Sequence, residues 1–367
     1  MEKVLIAPGR YVQGSGAVAS IGKHAANLGK KALAVGGKRG LGEVKAGLES
    51  GLKSVGIGLV LEPFNGECSE KEIRRILDCA KAAGADFIIG VGGGKSIDAA
   101  KAAAYHGKMP VAVLPTIAAT DAPCSALSVI YTEEGVFESY LVLPSNPNLV
   151  LVDTAIVARA PVRLLIAGMG DALATIFEAE ACLKGQKKNL PGGLTTMSAV
   201  SLARLCYETL IEWGPQAAIA GEKGVPTEAV ERVVEANTLL SGLGFESSGL
   251  AAAHAVHNGL TVLPETHHAY HGEKVAFGTL VQMVLEGRDP AEIEEVLDFC
   301  TEVGLPVTLA ELGVPNPTEE QLRNVAKATT AEGETIHNEP FIVTAEAVYN
   351  AIIAADAIGA GYKSCCM

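Results

Sequence analysis

Hydrophobic and polar positions change rhythm near the middle of the chain. From residue 1 to about 160, short apolar runs alternate with longer stretches of helical period. KKALAVGG, IGLVLEPF, DFIIGVGGG and MPVAVLPTIA read as strands. GLGEVKAGLESGLKSVG, SEKEIRRILDCAKAAG and KSIDAAKAAAYHG read as the helices between them. Runs as continuously apolar as FIIGV fit strands covered on both faces, so the alternation predicts a parallel α/β sheet. LVLVDTAIVARAP supplies a last strand and connector. Beyond Pro161 the strand signals nearly vanish. LLIAGMGDALATIFEAEACL, LTTMSAVSLARLCYETLIEWG, PTEAVERVVEANTLLSGLGF and PAEIEEVLDFCTEVG carry helical periodicity, with Pro226 and Pro290 close to helix starts. The pattern predicts an α/β domain over 1–160 and an all-helical domain over 161–367.

Composition narrows the partners. With 49% hydrophobic residues in 367, either domain can build a core. A net charge of −13 argues against nucleic acid or an anionic membrane surface as the main partner. No apolar run reaches a membrane span, and the first residues lack the long apolar region of a signal peptide. Eight cysteines without CxxC spacing read as reduced residues, several inside apolar helical patterns; Cys365 and Cys366 sit together near the C-terminus as a frayed tail. Cytoplasm is the expected compartment.

The first candidate for chemistry is GVGGGKSID, Gly90 to Asp98. A strand runs into Gly92, Gly93 and Gly94, and a helix starts at once. Glycine lets backbone amides approach an anion, and a helix N-terminus adds positive potential, which suits a pyrophosphate. A tight strand-to-helix turn would look the same. The Walker pattern fails because Ile89 stands where glycine is required, and G-x-G-x-x-G from Gly90 fails at Lys95. A second stretch, PTIAATDAPCSALSVIYT from Pro115 to Thr132, reads as a loop after the next strand and offers Thr116, Thr120, Asp121 and Ser125. In parallel sheets ligands bind at the carboxyl ends of strands, where both loops would lie.

The second candidate is a crowd of histidines. Five of the eight fall between His254 and His271, in HAVHNGLTVLPETHHAYH. His254 and His257 stand three apart and share a face if the segment is helical, and His271 opens another helix-like run. Imidazole is the commonest neutral metal ligand. A polar loop with capping and core histidines is the plainer alternative.

Taken together, GGGKSID, PTIAATDAPCSALSVIYT, LLIAGMGDALATIFEA, GFESSGLAAAHAVHNGLT, YHGEKVAFGTL and AEGETIHNEP resemble the glycerol dehydrogenase family. That family sits in the superfamily of iron-type alcohol dehydrogenases and dehydroquinate synthases. The resemblance runs from PGRYVQG to the last long helix. It implies a dinucleotide-binding first domain and a metal- and substrate-binding helical one. It also implies NAD and a catalytic divalent metal, usually zinc, held by Asp171, His254 and His271, with His257 a near neighbour. One carboxylate and two imidazoles leave a coordination position open and suit zinc, though Fe(II) takes the same donors. The implied reaction is metal-assisted loss of the hydroxyl proton of glycerol at C2 and hydride transfer to nicotinamide, giving dihydroxyacetone. Other small vicinal diols are implied as further substrates. Asp121 would hydrogen-bond a substrate hydroxyl. Gly94 and Lys95 would contact the cofactor phosphates, beside Gly92 and Gly93. Thr116 would meet the adenine side, and Ser125, Leu127 and Tyr131 the nicotinamide end. A homo-oligomer, up to an octamer, is expected.

Two positions depart from the family. Gly37 replaces the usual aspartate at the end of the second strand, which loosens the expected preference for NAD because Lys38 and Arg39 follow. Ala119 replaces a frequent serine. A lyase of the dehydroquinate synthase type, or a dehydrogenase of glycerol-1-phosphate, would need a basic cluster for its substrate. The segments 121–131 and 247–271 are nearly free of one.

Overall fold

The computed structural model describes residues 2–366; the side chains of Cys365 and Cys366 lie outside the described residues. Among the described residues eight strands form: β1 Tyr11–Gly14, β2 Lys31–Gly36, β3 Gly58–Pro63, β4 Phe87–Gly92, β5 Val111–Pro115, β6 Leu127–Tyr131, β7 Phe137–Val142 and β8 Leu149–Asp153. The helices among them are α1 Ile21–Ala25, α2 Lys38–Lys53, α3 Glu70–Ala83, α4 Gly94–Gly107 and α5 Thr154–Ala158. Beyond them come α6 Val162–Lys184, α7 Met197–Glu222, α8 Glu228–Glu235, α9 Ser241–Ser248 and α10 Ala252–Leu260. The last are α11 His271–Glu286, α12 Pro290–Val303, α13 Glu319–Thr329 and α14 Ala345–Cys366.

The chain divides into two compact units. One holds Ile6–Leu165 with Ile219–Gly242, so α8 groups with the sheet and not with the later helices. The other holds Met1–Leu5, Ile166–Ala218 and Leu243–Met367. Among the described residues, no helix is long and apolar enough to cross a membrane. Cys68, Cys79, Cys124, Cys182, Cys206 and Cys300 form no disulfide.

In the first unit six strands make one sheet in the order β1-β8-β5-β4-β2-β3, parallel throughout. Alternation along β2 sorts the core. Ala32 and Ala34 pack with Leu41, Val44 and Leu48 of α2, while Leu33 and Val35 pack with Ile73 and Ile76 of α3 and the alanines of α4. Helices therefore cover both faces, which is why the strands read as continuously apolar. The stretch 115–132, read as one loop, ends instead in β6. Its alternating burial, against β7 in an antiparallel hairpin, gives that segment the two-residue period of a strand.

Chain order reverses between β2 and β4, since β2 leads through α2 to β3 on one side and β4 leads through α4 to β5 on the other. Their carboxyl ends are neighbours: Gly36 is opposite Val91, and Gly92 opposite Pro115. That reversal is where open α/β sheets bind ligands. Gly92 turns the chain there at φ +125°, and a Cβ would also lie 2.7 Å from Ser96 Oγ.

In the second unit α6 and α11 cross with their backbones almost touching. A Cβ on Gly272 would stand 1.7 Å from the carbonyl oxygen of Ala167 and 2.8 Å from the amide nitrogen of Asp171. Gly170 meets the same crossing, since its Cβ would lie 2.3 Å from the Gly272 carbonyl oxygen. Gly272→Ala must therefore part the two helices. Denaturant unfolding should show a loss of about 3 kcal/mol or more, in the range of overpacking. A variant as stable as the parent would mean that the crossing is not tight.

Candidate active site

Asp171 sits on α6, His254 in the first turn of α10, and His271 opens α11. The crossing at Gly272 brings the first and last together. Asp171 Oδ1 lies 3.3 Å from His254 Nε2 and 3.1 Å from His271 Nε2, and the three ligand atoms all fall within 4.8 Å of one another. Ligand atoms about 2 Å from a tetrahedral zinc stand roughly 3.3 Å apart, so the trio has the spacing of three corners around one ion. Asp171 is 1% exposed, whereas the His271 side chain keeps 37% of its surface open.

The other ring nitrogens are engaged too. His254 Nδ1 is 2.7 Å from Glu178 Oε2; a carboxylate accepts, so Nδ1 carries a proton, and in the neutral ring that a metal requires the Nε2 lone pair would face the trio. His271 Nδ1 lies 3.0 Å from His257 Nε2, and His257 Nδ1 lies 3.0 Å from Asn258 Oδ1. Asn258 donates through Nδ2 to Glu334 at 3.0 Å, which turns its oxygen toward His257. A consistent chain results: His271 donates to His257, and His257 donates to Asn258. Burial, with cationic character at His271, Lys274 and His254, holds the His257 imidazole well below its usual range, as a neutral acceptor requires. His257 thus lies beside the trio, bonded to His271. His267 and His268 instead bond the carbonyl oxygens of Thr261 and Glu265.

Charge in the cluster is strongly coupled. Burial disfavours the Asp171 carboxylate, yet His271 and His254 outweigh it and hold the carboxyl far below its ordinary value. Burial opposes a charged His254 as well, and Glu178 and Asp171 overcome it to raise that imidazole well above normal. Two imidazoles and a carboxylate drawn together in this way are a donor set suited to a divalent cation.

Glu178 is the residue that sequence reading missed. It stands seven residues after Asp171, on the same face of α6, in GDALATIFE; that spacing was the available signal. It is wholly buried and also accepts from the amides of Ala251 at 2.8 Å and His254 at 3.0 Å. Gln282 accepts from Ala253 at 2.9 Å and Glu339 from Ala252 at 3.3 Å. The start of α10, an Ala-Ala-Ala run with no capping side chain of its own, is capped entirely from other elements. Burial, with Glu286 and Glu178 close by, pushes the Glu339 carboxyl up to about 8.

The cofactor candidates lie in the sheet unit. Gly92, Gly93 and Gly94 form the turn into α4, and the Thr116 amide bonds the Gly92 carbonyl at 3.0 Å, binding the second loop to the first. A Cβ at Gly94 would have no neighbour nearer than 3.9 Å, so the turn is open where a phosphate would come. Lys95 does not extend freely over it: Nζ pairs with both oxygens of Glu67 at 2.6 and 2.7 Å and lies 5.0 Å from the centre of the Tyr131 ring. Burial pushes the Tyr131 hydroxyl up to about 12, so it stays a neutral donor and acceptor. Ser125 and Leu127 lead into β6 with it. Asp121 is half-buried, and its Oδ2 accepts from Ser241 Oγ at 2.8 Å. Gly37 starts α2 with open space around it, and Lys38 and Arg39 are exposed.

Known proteins match the chain over nearly its whole length. Residues 8–154 match the family described as iron-containing alcohol dehydrogenase. Glycerol dehydrogenase of Citrobacter freundii is 55% identical over 98% of either chain. Glycolaldehyde reductase of Halobacterium salinarum is 50% identical with the same coverage. The crystal structure of glycerol dehydrogenase from Schizosaccharomyces pombe matches with a TM-score of 0.95 at 39% identity, over 99% of this chain and 92% of that one. With more than half of the residues identical along nearly the whole of both chains, the chain belongs to the glycerol dehydrogenase family of the iron-containing alcohol dehydrogenases.

Proposed function

We propose that the chain is an NAD-dependent dehydrogenase that oxidises the C2 hydroxyl of glycerol to dihydroxyacetone, runs the reverse reaction, and accepts other small vicinal diols. The observation that carries this reading is the convergence of Asp171 Oδ1 with Nε2 of His254 and of His271, both rings already committed through Nδ1. Membership in the family supports the reaction class, and the relative named glycerol dehydrogenase supports glycerol. The relative named glycolaldehyde reductase favours a second reading, reduction of small hydroxyaldehydes.

Asp171, His254 and His271 would hold a zinc ion, or ferrous iron in the same donors. When bound, the metal supplies Lewis acidity toward an alcohol or carbonyl oxygen, and the nicotinamide supplies the hydride acceptor. The chain's own part is placement. Glu178 keeps the His254 proton on Nδ1, and His257 does the same for His271. The amides of Gly92, Gly93 and Gly94 would receive the pyrophosphate at the start of α4, and Lys95 would turn from Glu67 to contact it. Thr116 would lie on the adenine side and Ser125, Leu127 and Tyr131 at the nicotinamide end. Asp121, its carboxylate steadied by Ser241, would accept a hydrogen bond from a substrate hydroxyl. In this reading the sheet unit is the dinucleotide-binding one and the helical unit the metal- and substrate-binding one. A cytoplasmic homo-oligomer, as large as an octamer, is proposed with it; light scattering on the purified protein reads the assembly directly, and a monomer would refute it.

Glycerol-dependent formation of NADH should vanish on chelation and return on zinc add-back. Asp171→Asn, His254→Ala and His271→Ala should each lose bound metal, measured by metal content, while His267→Ala keeps it. Metal-independent turnover, or no turnover of glycerol or any vicinal diol, would sink the reading. Glu178→Gln makes one of the two accepting oxygens a donor, so either His254 Nδ1–H or the Ala251 and His254 amides face a donor, and zinc affinity should fall by about 10- to 100-fold in a competition titration. Unchanged affinity would remove Glu178 from the account. With Gly37 just after β2, that position offers no carboxylate to repel a 2′-phosphate, so NADP should support measurable turnover while NAD keeps the higher kcat/KM. Kinetics with both cofactors decide this, and a higher kcat/KM for NADP would reverse the preference.

A further inference from the structure

The helix that begins at the glycine loop carries a buried cation that the cofactor reading does not use. Lys101 lies two turns into α4, and its side chain is wholly inaccessible. Its ammonium stands 2.9 Å from Asp98 Oδ1 on the same helix. It donates to the carbonyl oxygens of Ala122 at 2.9 Å, Ser125 at 3.2 Å and Leu127, and lies 3.4 Å from Ser125 Oγ. Asp98 continues the contact: Oδ2 accepts from the Val129 amide at 3.0 Å, and its carbonyl accepts from Ser128 Oγ at 3.0 Å.

Burying a charge is costly unless it is paired and hydrogen-bonded, and this one is satisfied mostly by backbone from a single segment. Loop carbonyls gathered around one cation form the kind of oxygen cage that otherwise surrounds a metal ion. The ammonium therefore fixes the path of residues 122–127, and Asp98 fixes 128 and 129. Those residues adjoin Asp121 and include Ser125 and Leu127, with Tyr131 following on β6. The other end of α4 is Gly94 and Lys95.

We propose that Lys101 is a positioning residue that holds the Asp121–Tyr131 segment in register with the glycine loop, through the one helix that both share. This rests on the reading of that segment as the nicotinamide and substrate side. A displacement of about 1 Å at such a site can cost roughly a hundredfold in rate.

The test uses full-length enzyme carrying Lys101→Ala, assayed with and without ethylammonium, which can refill the cage. Should that variant not fold, Asp98→Leu with Lys101→Met removes both charges together and carries the same kinetic and exchange readouts. We expect kcat/KM for glycerol to fall roughly a hundredfold, with kcat partly restored in Lys101→Ala by the amine. Affinity for ADP-ribose, which has the pyrophosphate but no nicotinamide, should stay at the parent level. Amide hydrogen exchange should quicken across 121–131 and not at 92–95. Parent-like kinetics in a folded variant overturn the proposal. So does equal loss of ADP-ribose binding and turnover without amine rescue, or unchanged exchange across 121–131. A parent enzyme inactive on glycerol and other diols would instead remove the functional reading, while the exchange result still decides the anchoring.

Discussion

One buried carboxylate, Glu178, joins the frame of the helical unit to its chemistry. The helix carrying His254 begins with two alanines behind an alanine cap, so its leading amides have no local side-chain acceptors. Glu178 takes two of them and the Nδ1 proton of His254 as well. A fully buried carboxylate is tolerable only with such donors, and the donors are satisfied only with such a carboxylate. The same bonds that let α10 start where it does also choose the tautomer that presents Nε2 to Asp171. Helix position and ligand chemistry are therefore set by one interaction.

The second requirement is proximity of backbones. Ligand atoms around a small ion must stand close together, and helices separated by large side chains cannot bring short Asp and His side chains to that spacing. The contact of Gly170 and Gly272 removes the separation at the position next to two of the ligands. The small-residue richness of these helices, which from composition alone looks like unspecific alanine and glycine, serves that approach. His257 and Asn258 then complete the support around His271, so each imidazole is oriented by a partner instead of by packing alone.

In the sheet unit the comparable economy lies in α4. Its first turn is the glycine loop, and its buried Lys101 and Asp98 hold the segment that follows β5. Phosphate-binding and nicotinamide-side candidates thus hang on one rigid element, which is a more exact support than two independent loops would be.

Much of this was legible in the residues themselves. Period and burial in FIIGV and KKALAVGG announce a two-faced parallel sheet, because apolar residues on both faces have one common explanation. GVGGGKSID announces its turn because Gly92 adopts a conformation that side chains resist. The crowding of histidines from His254 to His271 drew attention to that segment, and the resemblance named Asp171, His254 and His271, the residues that converge. Other features were not legible. β6 hid inside a polar-looking loop because its partner β7 makes it a strand. Residues 219–242 group with the sheet, although their own pattern is as helical as that of the later segments. Glu178, Glu67 and Lys101 looked like ordinary charged helix or loop residues, since a charge records nothing of its partner. Local sequence determined which elements form and which side chains can bind a metal or a phosphate, because period, glycine and ligand type are properties of neighbouring residues. Folding settled which nitrogen of His254 and of His271 faces Asp171 and which buried charge holds which loop, because hydrogen bonds between residues fourteen or more positions apart exist only once the chain has folded.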